Sequence, residues 1–268
     1  MKIGIVGNLA KIKDEQVITR LAERLQNSGF EVVRFASYAA IDGVSAVIVL
    51  GGDGAMLHAA TVAAPKGIRV VGINYGNVGF LTEFEKNELD EVVPLLEEFR
   101  AGKARILNRS ILKATVDGVE YYALNEVALQ RDYASGILDN PQILKLLAKA
   151  GAGEISIAGD GVLLATPTGS TAYSLSAGGA IVAPEVPVVL LTPICAFSMS
   201  ARPMVFSDGD EFCFEVKKGK ALVLIDGKAV ATLAEKDSIC VQKAQFTAEF
   251  LTRKGKCFFT KIKNKLNG

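Results

Sequence analysis

The chain has 268 residues, 50% of them hydrophobic and 22% charged, enough for one large core or two modest ones and too apolar for a disordered or all-polar chain. Thirty Lys and Arg against 29 Asp and Glu leave a formal charge of +1, so there is no basic footprint for nucleic acid or for an anionic membrane surface. A single histidine, His58, excludes sites built on two imidazoles, including H-E-x-x-H hydrolases. The cysteines Cys195, Cys213, Cys240 and Cys257 lie far apart without a C-x-x-C pair and read as reduced, mostly buried thiols, not as a disulfide or zinc framework. No apolar run has the length of a signal-peptide core or of a spanning helix, and the expectation is a soluble cytoplasmic protein.

The first hundred residues alternate as strand and helix. Lys2–Gly7 reads as a short buried strand, and Glu15–Ser28 as a helix with Val17, Ile18, Leu21, Ala22 and Leu25 on one face, stopped by Gly29. Glu31–Phe35 and the β-branched run Ala46–Leu50 read as further strands, the second with the composition of a parallel strand covered on both faces. Met56–Ala64 reads as a helix ending at Pro65, Arg69–Ile73 as a strand, and Leu89–Arg100 as an amphipathic helix before Gly102. This alternation predicts a doubly wound parallel sheet.

The rhythm changes near Arg105. Short strands follow at Ser110–Val116, Glu120–Gln130, Gly161–Ala165, Val188–Leu191, Glu211–Val216, Ala221–Ile225 and Ser238–Gln242, with hairpin turns at Asp117-Gly118 and Asp226-Gly227. Phe258–Leu266 reads as a short basic helix. The expected fold is α/β plus β-rich: an N-terminal Rossmann-like α/β domain over 1–105 and a mainly β domain over 106–249. The tail, 250–268, is free to pack back on the first.

Four segments have the composition of chemistry. Gly51-Gly52-Asp53-Gly54 sits after a strand and before a helix, where glycines let backbone N–H groups approach an anion. An ionised Asp beside phosphates is repulsive unless it binds a metal or takes a proton from a hydroxyl nucleophile; capping the helix is the other reading of Asp53. Asn74-Tyr-Gly76 through Gly79-Phe80-Leu81 forms a second glycine segment after the next strand, where an ordinary turn would also suffice. Asn125-Glu126 pairs an amide with a carboxylate, which suits a ribose or base edge and equally suits an exposed strand end. Asp160-Gly161 leads into Thr166, Thr168, Ser170, Thr171, Tyr173, Ser174 and Ser176, seven hydroxyls among glycines that make a polar cradle for sugars and phosphates. Walker A, G-x-G-x-x-G and G-x-S-x-G patterns are absent, and Ser110-Ile-Leu-Lys113 stands without the companion motifs of an S-x-x-K enzyme.

In this order along the chain, Gly51–Gly54, Asn74–Glu83, Asn125-Glu126, Asp160–Gly179 and Thr192-Pro-Ile-Cys195 with Ser198, Ser200 and Arg202-Pro203 resemble the NAD kinases. The resemblance is dense from about residue 46 to 206. It implies transfer of the γ-phosphoryl of ATP to the adenosine 2′-hydroxyl of NAD, with Mg²⁺ or another divalent metal carried by the nucleotide and no metal held by the protein alone. It implies that Asp53 accepts the ribose proton, that Gly52 and Gly54 approach phosphates, and that His58, Asn74 and Phe80 belong to the nucleotide site. Asn125 and Glu126 would hold ribose and adenine groups, and Asp160 would meet the nicotinamide end. Thr171, Ala172, Tyr173, Ser174, Leu175, Ser176 and Lys228 would complete the NAD and ATP contacts, in a homodimer or homotetramer. Departures from the family pattern are Ala55 for threonine, Ala180 for proline, Ala196-Phe197 for Pro-His, and Lys228 for an uncharged residue. A lipid or other small-molecule kinase sharing the G-G-D-G turn, and an idle NADP(H) sensor, are the competing readings.

Overall fold

The computed structural model describes residues 1–7, 16–76, 79–133, 143–198, 201–255 and 258–266, with side chains to 263 in the last stretch. Glu15, Ser200 and Cys257 of the readings above lie outside the described residues.

An apolar run ending in glycine makes the first strand, β1 (Lys2–Gly7), followed by α1 (Gln16–Asn27), which buries the expected Val17, Ile18, Leu21, Ala22 and Leu25. Gly29 takes the positive φ of a helix stop. Strands β2 (Glu31–Phe35) and β3 (Ala46–Gly51), helix α2 (Asp53–Ala63), β4 (Arg69–Asn74), the two-residue β5 (Phe84–Glu85), α3 (Val92–Arg100) and β6 (Arg105–Arg109) follow. The order β2-β1-β3-β4 is parallel throughout, and every residue of β3 is buried. Pleating explains why. Ala46, Ile48 and Leu50 pack with Ile3, Ile5, Val71 and Ile73 against α1 and α3. The opposite face receives α2, whose Met56 Sδ would stand 2.5 Å from a Cβ added at Gly72. Helix α2 begins at Asp53 and not at Met56: Gly52 is extended (φ −94°, ψ −167°), and its carbonyl already accepts the N–H groups of Ala55 and Met56.

The next strands form two antiparallel six-stranded sheets. One has the order β11 (Gly153–Gly159), β10 (Leu144–Ala150), β15 (Phe212–Lys218), β18 (Ser238–Lys243), β7 (Leu112–Val116) and β8 (Val119–Ala123). The other has the order β14 (Met204–Ser207), β13 (Val188–Ile194), β12 (Gly161–Ala165), β9 (Glu126–Arg131), β16 (Ala221–Ile225) and β17 (Lys228–Leu233). Their facing sides share one core, with Leu146, Phe212, Phe214 and Val241 from the first meeting Leu129, Val162, Leu191 and Val223 from the second. The far side of the second sheet is also covered. Ala128, Leu163, Ala165, Leu190 and Ile194 lie under Tyr173 and Ala177 of the segment carrying α4 (Tyr173–Ser176). A strand buried on both faces explains the unbroken apolar run Gly161–Ala165.

The strand β19 (Ala248–Thr252) then pairs parallel with β4 in the first sheet, and α5 (Phe258–Leu266) ends the chain. Two compact units result, Met1–Asn108 with Thr247–Gly268, and Arg109–Phe246. No helix among the described residues is long and apolar enough to cross a membrane.

Two expectations are corrected. The single strand read over Glu120–Gln130 is two strands, β8 and β9, in different sheets, with the crossing at Leu124-Asn125. Cys213 and Cys240 are a disulfide, not separate thiols, because antiparallel pairing of β15 and β18 sets them directly opposite each other with Cα atoms 4.1 Å apart. Their separation of 27 residues has no meaning until the strands are paired. Cys195 is exposed.

Candidate active site

Asp53 occupies the first position of α2, at the carboxyl end of a parallel strand, the place where open α/β sheets take ligands. Its carboxylate is held at both oxygens. Oδ1 accepts the Leu81 N–H at 2.9 Å and Oδ2 the Phe80 N–H at 3.1 Å. Such bonds fix the direction of the carboxylate. Gly54, one residue on, is exposed, and a Cβ built there meets nothing within 4 Å. Gly52 abuts Gly76 backbone to backbone, 3.6 Å from a built Cβ to the Gly76 Cα, so the two glycine segments close on one another. Asn74 is buried and spends its amide within the loop: Oδ1 accepts the Gly76 N–H and Nδ2 donates to Glu85.

The loop that supplies the two N–H donors is braced from the end of the chain. Arg253, just past β19, donates to the buried Glu83 and to Glu88, and Lys261 on α5 donates to the carbonyls of Phe80 and Thr82. Neither Arg253 nor Lys261 has a sequence signal that distinguishes it from an ordinary surface cation.

In the second unit the crossing at Leu124-Asn125 opens one end of the sheet. Glu126, the first residue of β9, pairs with Ala165, the last of β12, so Asn125-Glu126 and the hydroxyl-rich segment start side by side. Thr166 ties them, its backbone N–H reaching Asn125 O and its hydroxyl Leu124 O. Gly169 passes so close that a Cβ would lie 2.2 Å from Asn125 O. Asp226, in the hairpin after β16, accepts the N–H groups of Leu124, Asn125 and Glu126. The Glu126 carboxyl is buried, with Oε2 lacking any hydrogen-bond partner; burial first and the Asp226 charge second push its pKa up to about 7. A carboxyl poised there is able to donate as well as accept.

Asp160 stands before the other end of β12, next to Gly161, which pairs with Gln130 and Ile194. From Glu126 this is the length of a five-residue strand, about 17 Å at about 3.3 Å per residue. Arg131 pairs with Asp160 (3.3 Å) and covers the Tyr133 ring (4.4 Å). Tyr173 lies on this face of the sheet: its phenol pKa is raised mainly by burial, and it senses Cys195, Tyr133, Asp160 and Glu126. Both ends of β12 are therefore electrostatically in reach of one tyrosine.

The remaining expected residues divide by exposure. Thr171, Ala172 and Leu175 are half-buried, and Ser176 and Lys228 are exposed. The Ser174 hydroxyl is fully buried against Thr192 Oγ1 (3.0 Å) and serves to hold the segment on the sheet. His58 is exposed on α2 with its ring stacked on Tyr38. Five residues along a helix turn it about 140° from Asp53. Ala55 faces Gly51, and a Cβ on Gly51 would come 2.5 Å from the Ala55 Cβ. Arg131, Asp226, Arg253 and Lys261 were not singled out as site residues by the sequence.

Of the seven hydroxyls expected to form a polar cradle, those of Thr166, Thr168, Ser170 and Ser174 are buried and bonded within the fold, which leaves Thr171, Tyr173 and Ser176 accessible. A parallel sheet with an aspartate-bearing glycine turn at a helix start, joined to a β-rich unit, defines a nucleotide-binding phosphotransferase. The family model of the ATP-NAD kinase N-terminal domain matches residues 33–101, and that of the C-terminal domain matches 124–252. The NAD kinase of Heliobacterium modesticaldum is 39% identical over 228 residues, covering 82% of this chain and 77% of its own. The NAD kinase 2 of Parasynechococcus marenigrum is 31% identical over 292 aligned positions, covering 99% and 95%. An Archaeoglobus fulgidus NAD kinase solved in complex with ATP superposes with a TM-score of 0.80 at 25% identity, over 100% of this chain and 99% of that one. The yeast NADH kinase complexed with NADH has the same fold, with a TM-score of 0.84 at 22% identity over 100% and 87%. The chain belongs to the NAD kinase family.

Proposed function

We infer that the protein transfers the γ-phosphoryl group of ATP to the adenosine 2′-hydroxyl of NAD, giving NADP and ADP. The observation that carries this reading beyond family membership is the Asp53 carboxylate, anchored at both oxygens by the Phe80 and Leu81 N–H groups in an open glycine turn.

A ribose hydroxyl is a weak acid, and phosphoryl transfer through a loose transition state asks little covalent chemistry of the protein. Asp53 would orient the hydroxyl and take its proton as the new O–P bond forms and the bond to the ADP oxygen breaks. Its two N–H bonds fix its direction, which suits a group that positions the hydroxyl before it accepts the proton. Gly52 and Gly54 leave backbone N–H groups at a helix start accessible to phosphate oxygens. Magnesium, entering as the nucleotide complex, would neutralise phosphate charge, and a single fixed carboxylate with phosphate and water oxygens is the donor set that ion commonly uses.

The dinucleotide reading rests on the second sheet. Asn125 and Glu126 offer an amide and a titrating carboxyl for adenine and ribose groups, Tyr173 a ring over the strand, and Asp160 a carboxylate for the nicotinamide end. Thr171, Ala172, Leu175 and Ser176 line the same segment, and His58, Phe80 and Lys228 are further candidate contacts. We propose a cytoplasmic homodimer or homotetramer, as the family resemblance implies.

Incubation of purified protein with NAD, ATP and Mg²⁺, read by an NADP-specific dehydrogenase, tests the function. NADP formation abolished in Asp53→Asn supports it; no NADP from the wild type would move the assignment to a nucleotide sensor.

A further inference from the structure

The hairpin Asp226-Gly227 has more in it than a turn requires. Both residues take positive φ (47° and 78°), and asparagine at the first position would serve such a turn equally well. The carboxylate is used elsewhere. The backbone ladder between β16 and β9 extends past Ile225–Val127 through the Asp226 N–H donated to Glu126 O. Beyond it the chain crosses from one sheet to the other, and three successive N–H groups lose their ladder partners. Asp226 Oδ1 takes those of Asn125 (2.8 Å) and Glu126 (3.1 Å), and Oδ2 that of Leu124 (3.0 Å).

This arrangement has a cost. It sets an ionised carboxylate beside the buried, incompletely bonded carboxyl of Glu126, where a neutral cap would be less repulsive. A carboxylate set beside another carboxyl while it fixes three consecutive residues points to a constraint beyond the turn itself. The fixed residues are the amide and carboxyl of Asn125-Glu126, pressed from the other side by the close passage of Gly169.

We propose that Asp226 is a positioning residue for NAD. Its carboxylate clamps the Leu124–Asn125–Glu126 backbone and thereby sets the direction in which the Asn125 and Glu126 side chains are presented to the dinucleotide. The charge also has a second effect, keeping the Glu126 carboxyl protonated to higher pH so that it donates a hydrogen bond to its ligand. The proposal rests on the reading that Asn125 and Glu126 contact NAD.

The test compares wild type, Asn125→Ala, Asp226→Asn and Asp226→Gly in steady-state assays with ATP and NAD varied separately. Both Asp226 variants keep the positive-φ turn, and Asn retains one acceptor oxygen. The expected result is a rise in KM for NAD of about tenfold in Asp226→Gly and less in Asp226→Asn, with KM for ATP within twofold. The midpoint of the pH dependence of KM for NAD should move to lower pH in Asp226→Asn. The charge that bears on Glu126 is Asp226, and Tyr173 in turn senses Glu126. An unchanged KM for NAD in both Asp226 variants, equal rises for both substrates, or an unmoved midpoint overturns the proposal. If Asn125→Ala also leaves KM for NAD unchanged, the dinucleotide reading falls with it; if Asn125→Ala raises it and the Asp226 variants do not, the clamp alone is refuted.

Discussion

Glu83 accepts hydrogen bonds from both the backbone N–H (3.2 Å) and the Nε (3.3 Å) of Arg253, 170 residues further along the chain. The Glu83 side chain is 3% exposed, and its carboxylate also lies 3.9 Å from Lys261 Nζ. Arg253 also reaches the Glu83 carbonyl and both Glu88 oxygens, and its guanidinium lies over the Phe84 ring. The segment it pins contains Phe80 and Leu81, whose amides hold Asp53. The end of the chain therefore contributes to the orientation of the aspartate in the glycine turn.

Replacing Arg253 by Ala leaves the Glu83 carboxylate buried beside fewer cations. A fully buried pair loses about 3–5 kcal/mol when one partner is removed; with Arg253 partly exposed, about 2 kcal/mol is expected. Urea denaturation measures this directly. The kcat should fall at least tenfold through the slackened Phe80–Leu81 amides, and Arg253→Lys should restore part of it. Wild-type kcat in the Ala variant would separate the brace from the reaction.

Asp53→Asn is expected to lower kcat by about a thousandfold or more, measured as NADP formed. The structure adds that this variant is not a silent replacement. Asp53 accepts one N–H at each oxygen, and an amide has only one oxygen to offer, so its NH₂ group would confront either Phe80 or Leu81 N–H as donor against donor. Hydrogen exchange should quicken locally at one of these two amides while NAD affinity, read by titration calorimetry, stays within a few-fold. Unchanged exchange at both amides would refute the anchoring geometry.

Periodicity made the parallel sheet legible, because a strand covered on both faces and a helix with one apolar face leave distinct patterns, as in Ala46–Leu50 and Val17–Leu25. Turn chemistry did the same for Asp117-Gly118 and Asp226-Gly227, where both residues of each pair take positive φ. What stayed hidden depends on pairing. Leu124-Asn125 is apolar enough to continue a strand, and only the two-sheet arrangement shows that the chain crosses there. Leu144–Ala150 and Gly153–Gly159 do alternate, with lysines, serine and glutamate on their outer sides, so this pair was legible and was missed. The glycine turn and the hydroxyl segment were visible as composition. The residues that hold them, Arg131, Asp226, Arg253 and Lys261, are common charged residues whose partners lie far away in sequence, and no local pattern marks them.

Gly169 is required by contact and not by conformation. A methyl group there would stand 2.2 Å from Asn125 O and 2.6 Å from its carbonyl carbon, both backbone atoms held in the Asp226 clamp. Since backbone cannot yield as a flexible side chain does, Gly169→Ala should cost about 3 kcal/mol by thermal or urea unfolding. It should also raise KM for NAD by displacing Asn125. Gly54→Ala makes the contrast: open space surrounds its Cβ position, so stability should change by less than about 1 kcal/mol.

The Cys213–Cys240 disulfide links neighbouring strands of the first β-rich sheet. Cross-links of this loop length stabilise by about 2–4 kcal/mol, chiefly through the unfolded chain. Denaturation midpoints with and without dithiothreitol should differ accordingly, and the Cys213→Ser, Cys240→Ser double variant should match the reduced wild type. Equal midpoints under both conditions, with thiol titration showing free cysteines in each, would show that the bond does not form in solution.

Glu126 gives stability a pH dependence whose sign follows from its burial. In the folded protein its carboxyl titrates at about 7, against 4.5 for the free side chain, because burial and then the Asp226 charge oppose ionisation. The native state therefore holds this proton more tightly than the unfolded chain does. Its contribution is fully present below pH 4.5 and declines as pH rises, until above about 7 both states are ionised and the folded state carries a buried anion. A difference of this size corresponds to roughly 3 kcal/mol across the window. Glu126→Gln cannot ionise and should remove the decline, so that the unfolding free energy of the variant, measured in urea from pH 5 to 8, falls less steeply than that of the wild type. The two curves should diverge most at the alkaline end, with the variant the more stable there relative to its own value at pH 5. Parallel curves would mean that the carboxyl is ionised throughout, and that its unbonded oxygen meets a cation or water in solution.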